Sequence, residues 1–249
     1  MPSDRELRGA VVVTGGSQGI GAAIVESLVT HGRHVVSLDR SEPQSKIDGV
    51  EYVIGDVTVR GDLDGAVSAA TAGGRRLVGC VANAGMNIPG PLAALPREDW
   101  DTVMSVNLTG VMETARAAHA QRNGSLSIVV ISSYSGSMAL ANRTAYGAAK
   151  GALNSLVRHL AVEWAADGVR VNAVAPGFID TELSRRAIAL GLQSEDIVRG
   201  RVPMARYGQP SEIGEVVEQV VGDGFSYVTG AVIPVDGGAS ILGLPLDRE

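Results

Sequence analysis

Ala10-Val11-Val12-Val13-Thr14-Gly15-Gly16-Ser17-Gln18-Gly19-Ile20-Gly21 is the stretch from which the rest of the chain can be read. Its first four residues are apolar and mostly β-branched, which suits a buried strand. The next eight read as a tight turn entering a helix. Ile24, Val25 and Leu28 continue that helix at the expected spacing, and Gly32 stops it. Gly15, Gly19 and Gly21 form G-x-x-x-G-x-G, a spacing variant of the dinucleotide-binding fingerprint. Glycine lets a ligand approach the backbone closely, and a helix N-terminus offers N–H groups and a positive dipole end to a pyrophosphate. A glycine cluster alone is weak evidence in a chain with 32 Gly. Here its context decides. A strand precedes it, a helix follows, and a second strand at 34–38 ends in Asp39, eighteen residues after Gly21. An acid at about that distance can reach the adenosine ribose hydroxyls of a bound dinucleotide.

The alternation continues to the end of the chain. Strand-like runs fall at 11–14, 34–38, 50–54, 77–81, 127–132, 170–175 and 231–235, with helical patterns at roughly 20–31, 61–71, 99–121, 145–166 and 211–221. This order predicts an α/β fold, a Rossmann-type doubly wound parallel sheet with right-handed crossovers and helices on both faces. No linker or repeat divides residues 1–249, so a single domain is expected. Ligands of such sheets bind beyond the carboxyl ends of the strands. Asp39, Asp56, Asn83, Ser133 and Pro176 all stand at strand ends and should converge on one edge.

Composition narrows the function. Hydrophobic residues make up 45% and aromatics only 4%, so the core must be aliphatic. A net charge of −6 with no basic run argues against nucleic-acid or anionic-membrane partners. No stretch approaches the apolar length of a membrane span, and Met1-Pro2-Ser3-Asp4-Arg5-Glu6 has no apolar signal region. The single cysteine, Cys80, lies in a strand pattern as a small structural residue, and the four histidines show no metal-ligand spacing. A cytoplasmic, metal-independent enzyme is expected.

Tyr146 and Lys150 carry the chemistry. Four residues apart on a helix, they share a face thirteen residues after Ser133. A phenol titrates near pH 10, and a neighbouring ammonium favours its ionised form and brings it towards useful acid/base chemistry. The chain has nineteen Arg and only two Lys among its 21 basic residues. A lysine at this place points to a need for a compact ammonium.

Together these motifs make the chain resemble the classical, single-domain short-chain dehydrogenase/reductases, from about residue 8 to 238. The glycine motif stands as TGGSQGIG. Gly55-Asp56-Val57 matches the adenine-contacting acid after the third strand. Ala82-Asn83-Ala84-Gly85 matches the NNAG motif, with Ala for its first Asn. Asn107, Ser133, and Tyr146 with Lys150 match the family's catalytic set, and Pro176-Gly177 with Thr181 its segment after the sixth strand.

The resemblance implies specific roles. Tyr146 is the acid/base, Ser133 bonds the substrate oxygen, Lys150 lowers the phenol pKa and holds the nicotinamide ribose, and Asn107 anchors a proton-relaying water. Gly15, Ser17, Gln18, Gly19, Ile20, Gly21, Asp39, Arg40, Asp56, Val57, Asn83, Ala84, Gly85, Pro176, Gly177, Ile179 and Thr181 would contact the cofactor. Asp39, with no cation at Ser17, favours NAD; Arg40 is expected to stack on adenine or point to solvent. Met86, Asn87, Ser135, Met138, Asn142, Phe178 and the 183–200 segment would line the substrate pocket.

The reading is an NAD(H)-dependent oxidoreductase interconverting a secondary alcohol and a ketone. An NADPH-dependent 3-oxoacyl-thioester reductase, and more remotely a non-catalytic nucleotide-binding regulator, are the alternatives. The family usually pairs subunits through the helices near 99–121 and 145–166. The stripe Leu153, Leu156, Val157, Leu160 and Trp164 accordingly suggests a homotetramer, part of it being accounted for by packing on its own sheet. The segments 58–77 and 211–230 are shorter than in the family.

Overall fold

In the computed structural model, which describes residues 9–189 and 195–243, seven parallel strands form one sheet. They are β1 (Ala10–Thr14), β2 (His34–Asp39), β3 (Val50–Ile54), β4 (Leu77–Ala82), β5 (Leu126–Ile131), β6 (Val169–Pro176) and β7 (Val232–Val235). Their spatial order is β3-β2-β1-β4-β5-β6-β7. The order reverses between β1 and β4, which opens a crevice at the carboxyl ends of those two strands. β1 is central because Val11, Val12 and Val13 are fully buried on alternate faces.

Each face has its own core. Val11 and Val13 pack with α1 (Gly19–Thr30) and α8 (Pro210–Val221) through Ile24, Leu28, Ile213 and Val217. Ala10 and Val12 face the other side, towards α2 (Arg60–Thr71), α4 (Gly110–Ala120) and α5 (Thr144–Trp164). The doubly wound architecture follows from this two-sided aliphatic burial.

Three features depart from the sequence reading. The helix expected over 99–121 is α3 (Arg97–Met104), a π-helical turn at Ser105–Thr109, then α4. Two helices were not anticipated in the 183–200 segment, α6 (Glu182–Ala189) and α7 (Glu195–Arg201). Residues 190–194 of that segment lie outside the described residues, as does the N-terminal stretch 1–6. The stripe on α5 is also used differently. Leu153, Val157 and Leu160 are buried in its own core, with Leu156 and Trp164 packed against it, and only Val162 is strongly exposed, at 81%. The shortened 58–77 segment closes because Gly73 and Gly74 adopt φ of 70° and 80°, ending α2 one short turn before β4.

Among the described residues, no helix is long and apolar enough to cross a membrane, and no cluster of three or more potential metal ligands occurs. Cys80 is fully buried, and burial pushes its thiol up to about 12, so it packs as a small apolar residue.

Candidate active site

The glycine turn after β1 is built to leave backbone open. Gly15 and Gly19 have φ of 68° and 56°, in the left-handed region that glycine adopts without strain. A Cβ at Gly19 would meet only Thr181 Cγ2, at 3.8 Å. The start of α1 is therefore unobstructed, and the segment after β6 lies across from it. No side chain caps α1 at Gln18, and its first turn holds no acidic residue. Free N–H groups and the positive end of the helix dipole remain for an anion. A pyrophosphate fits this cradle.

Asn83 braces it. Its side-chain amide donates to the carbonyls of Thr14 (3.0 Å) and Gly15 (2.8 Å), while the Asn83 and Ala84 N–H groups donate to the Thr14 hydroxyl at 3.1 and 3.2 Å. Asn83 thus holds the turn from the β4 side of the crevice, with Thr14, which the sequence reading did not single out, as its partner.

Asp39, expected at the ribose end, lies beside the glycine turn. Its carboxylate accepts the Ser17 N–H at 3.0 Å and the Ser41 N–H at 3.2 Å, and the Ser17 hydroxyl donates to the Ser41 carbonyl at 2.7 Å. The acid is thereby fixed beside the glycine turn. Arg40, expected to stack or face solvent, instead lies with Nε 3.5 Å from Asp56 Oδ2, although it is largely exposed. Asp56 also accepts the N–H and hydroxyl of Thr58, both at 2.8 Å, and these bonds, led by the backbone one, hold its carboxyl below the usual range. Val57 is buried against Gly110, Ile20 is partly buried, and Ile179 is buried beside a bridge to Gly208. At Gly177 a Cβ would come within 2.6 Å of Asp236 Cβ, which explains glycine after Pro176.

The groups expected to react lie on the β4–β5 side of the site. Lys150 is 3% exposed; its Nζ donates to the Ile131 carbonyl at 2.7 Å and lies 5.6 Å from the Tyr146 ring centre. A Cβ at Gly85 would sit 2.8 Å from Asn107 Oδ1 and 3.7 Å from Lys150 Nζ. A side chain there would push against Asn107, so glycine lets the 83–87 loop pass close to Asn107 and Lys150. Asn107, in the π-helical turn and fully buried, donates to the Met86 and Val103 carbonyls at 2.8 and 2.9 Å and accepts the Met86 N–H at 3.2 Å. It ties the 83–87 loop to the helix.

Ser133 follows β5 and is 9% exposed; its Oγ accepts the Ser135 N–H at 3.1 Å. Ser135, expected in the pocket lining, is itself buried and supports Ser133 instead. The neighbouring Ser132 hydroxyl donates to Asn154 Oδ1 at 2.6 Å, fastening the strand end to α5. Asn154 was not anticipated, because a polar residue inside a helix gives no sequence signal of such a partner. Met86, Asn87 and Met138 are partly buried at this edge, and Asn142 is exposed with φ 61° at the approach to α5. Phe178 packs against Tyr134 and Tyr207 at ring separations of 5.2 and 6.5 Å, joining a small cluster with Val198, Val202 and Ala239.

Electrostatics refine the expected roles. Burial pushes the Tyr146 phenol up from its ordinary value; the Ser133 hydroxyl and then the Arg143 guanidinium act against it. Those two groups, rather than Lys150, oppose the effect of burial. Burial also lowers Lys150 to about 8, because its ammonium sits in a dry environment.

The family described as enoyl-(acyl carrier protein) reductase matches residues 15–240. A tropinone reductase homolog from Datura stramonium is 35% identical over 254 residues, covering 95% of this chain and 94% of that one. The aldohexose dehydrogenase of Thermoplasma acidophilum, solved ligand-free, superposes with a TM-score of 0.89 at 30% identity, covering 97% of both chains. The 3-oxoacyl-[acyl-carrier protein] reductase of Brucella melitensis, solved in complex with NAD, gives a TM-score of 0.85 at 32% identity over 95% of this chain and 98% of that one.

Proposed function

The chain belongs to the short-chain dehydrogenase/reductase family, and from that premise we propose that it is an NAD(H)-dependent oxidoreductase interconverting a secondary alcohol and a ketone. The observation that carries this reading is the 83–87 loop, which braces the glycine turn through Asn83 at one end and passes Asn107 and Lys150 at the other, with Tyr146 on the same helix as Lys150. The names of the Datura and Thermoplasma relatives support a carbonyl or carbinol substrate.

The α1 N-terminus would hold the pyrophosphate, Asp39 the adenosine ribose, and Lys150 the nicotinamide ribose. Bound there, the nicotinamide supplies or accepts the hydride. The chain's own residues handle the oxygen and its proton. Ser133 donates a hydrogen bond to the carbonyl or alkoxide oxygen. Tyr146 gives its phenol proton to that oxygen in reduction and takes it back in oxidation. Ser133 and Arg143 favour the phenolate and so oppose the effect of burial on its pKa. Asn107 keeps the 83–87 loop in place beside Lys150 and is positioned to anchor a proton-relaying water.

NAD is favoured over NADP because Asp39 occupies the ribose end and Arg40 is directed at Asp56. We place the enzyme in the cytoplasm and expect a homotetramer, paired as its family usually is. A second reading, a 3-oxoacyl-thioester reductase, is favoured by the name of the Brucella relative. An assay at the nicotinamide absorbance band, offering secondary alcohols, ketones and a 3-oxoacyl thioester with each cofactor, tests both. Turnover confined to the thioester with NADPH would replace the alcohol/ketone reading.

A further inference from the structure

Most guanidinium groups of this molecule face a carboxylate or a carbonyl, as Arg60 faces Asp64 and Glu113, and Arg206 faces Glu212. Among the described side chains, the guanidinium groups of Arg143, Arg158 and Arg201 have no hydrogen-bonding or ion-pair partner. Arg158 is exposed along α5, away from its N-terminus. The other two lie in segments that border Tyr134 and Tyr146.

Arg143 is the residue that opens α5, three before Tyr146, and it is only partly exposed. A bridge between Gly90 and Arg143, with the Gly90 N–H donating to the Asn142 carbonyl at 2.9 Å, seats it against the loop that follows Gly85. Arg201 ends α7. It directly precedes Val202, which is buried in the cluster containing Tyr134 and Phe178. Tyr134 in turn directly follows Ser133. Two segments 58 positions apart in sequence therefore bring an arginine each near the Ser133–Tyr134 turn. Both act electrostatically on the Tyr134 hydroxyl, and Arg143 acts on Tyr146 as well.

Among the described side chains, one acid acts on the same place. Asp236 also acts on Tyr134, but its two oxygens accept the Gly238 and Ser240 N–H groups at 2.9 and 2.8 Å, which hold it in the 236–240 turn. It forms an ion pair with neither arginine. The N-terminus of α5 adds its own positive dipole end. Among the described side chains, the charges acting on Tyr134 are thus two cations against one tied acid, in a protein with net charge −6.

We propose that the substrate is an anionic one, an oxo acid or hydroxy acid whose carboxylate is held by Arg143 and Arg201 while its carbonyl or carbinol carbon lies at Tyr146. The proposal rests on the alcohol/ketone reading above. A planar guanidinium matches a carboxylate through paired N–H···O bonds, so two of them define both charge and orientation. Tyr134 and the Phe178 cluster would supply the apolar wall beside that anchor.

The test compares acids with their neutral isosteres. The probes are 3-oxobutanoate and 4-oxopentanoate and the methyl ester of each, with a simple ketone as a control, followed at the nicotinamide band with NADH and with NADPH. For the wild type, kcat/KM should favour at least one acid over its ester by at least about tenfold, charge-assisted hydrogen bonds being that strong. This acid-to-ester ratio should fall at least about tenfold in Arg201→Gln, recover in part in Arg201→Lys, and shrink as NaCl is raised. Arg201 is exposed, so its replacement should leave folding intact. Arg143→Gln should lower the same ratio. Esters used as well as the acids, or a ratio unmoved in both glutamine variants, would overturn the proposal while leaving the redox reading in place. No absorbance change with any acid, ester or ketone and either cofactor would remove the redox reading and this proposal together.

Discussion

Asp39 accepts two backbone N–H groups beside the glycine turn, and the nearest arginine in sequence, Arg40, is directed at Asp56. A 2′-phosphate at about 4 Å from this carboxylate would cost roughly 4 kcal/mol per unit charge at an effective dielectric near 20, reduced by salt and solvent. We therefore expect NAD(H) to be preferred over NADP(H) by at least about tenfold in kcat/KM, and Asp39→Ser to narrow that gap. Equal efficiency with NADP(H) in the wild type would refute this.

Lys150 makes a second residue-scale prediction. Its folded pKa of about 8 lies below the ordinary 10.5, so the unfolded chain binds the extra proton between these values. The buried ammonium penalises the folded state fully below about pH 8, and the penalty fades as the pH rises towards 10.5. The shift corresponds to ~3 kcal/mol, of which the Ile131 carbonyl, left without its donor, would take back about 1. Lys150→Met should abolish activity yet unfold at a higher temperature than the wild type at pH 7, both without cofactor. The difference should shrink at pH 9.5. A variant less stable than the wild type at pH 7 would contradict this account of the lysine.

Among the elements, the strands were the most legible part of the sequence. Runs such as Val11-Val12-Val13 and Ile128-Val129-Val130 are apolar on both sides because helices cover both faces, and a buried parallel strand has few other readings. The glycine turn, Asp39, Asp56, Asn83, Ser133 and Pro176 were legible for the same reason, since each stands at the end of such a run, whereas Tyr146 and Lys150 were read from their helical spacing. What escaped were features set by contacts distant in sequence. The π-helical turn at 105–109 replaces helical pairing with the hold of Asn107 on Met86 and Val103, and no local periodicity announces it. Arg143 and Arg201 look like ordinary surface charges until α7 meets the Ser133 turn. The π-helical turn supplies its own test. Asn107→Ala leaves two carbonyls and an N–H without partners, at ~2 kcal/mol, which for a chain of this size lowers Tm by about 4–8 °C. A smaller change, below about 1 °C, would show that Asn107 does not hold the loop.

At the scale of the whole molecule, assembly and catalysis can be separated. The α5 stripe is largely committed to the protein's own core, so the expected homotetramer must use what remains exposed, of which Val162 is the most prominent described apolar residue on α5. Light scattering at micromolar concentration should give four times the 25.7 kDa chain mass, and a monomeric mass would count against the tetramer without touching the chemistry. The chemistry itself stands on Tyr146 as the proton carrier of a nicotinamide-linked reaction. The direct measurement is the rate of absorbance change at the nicotinamide band for the wild type and Tyr146→Phe, each with the best substrate and with cofactor affinity measured in parallel. The account predicts that the variant loses about a hundredfold or more in kcat while binding cofactor within a few-fold of the wild type. A Tyr146→Phe enzyme turning over at nearly the wild-type rate would contradict it.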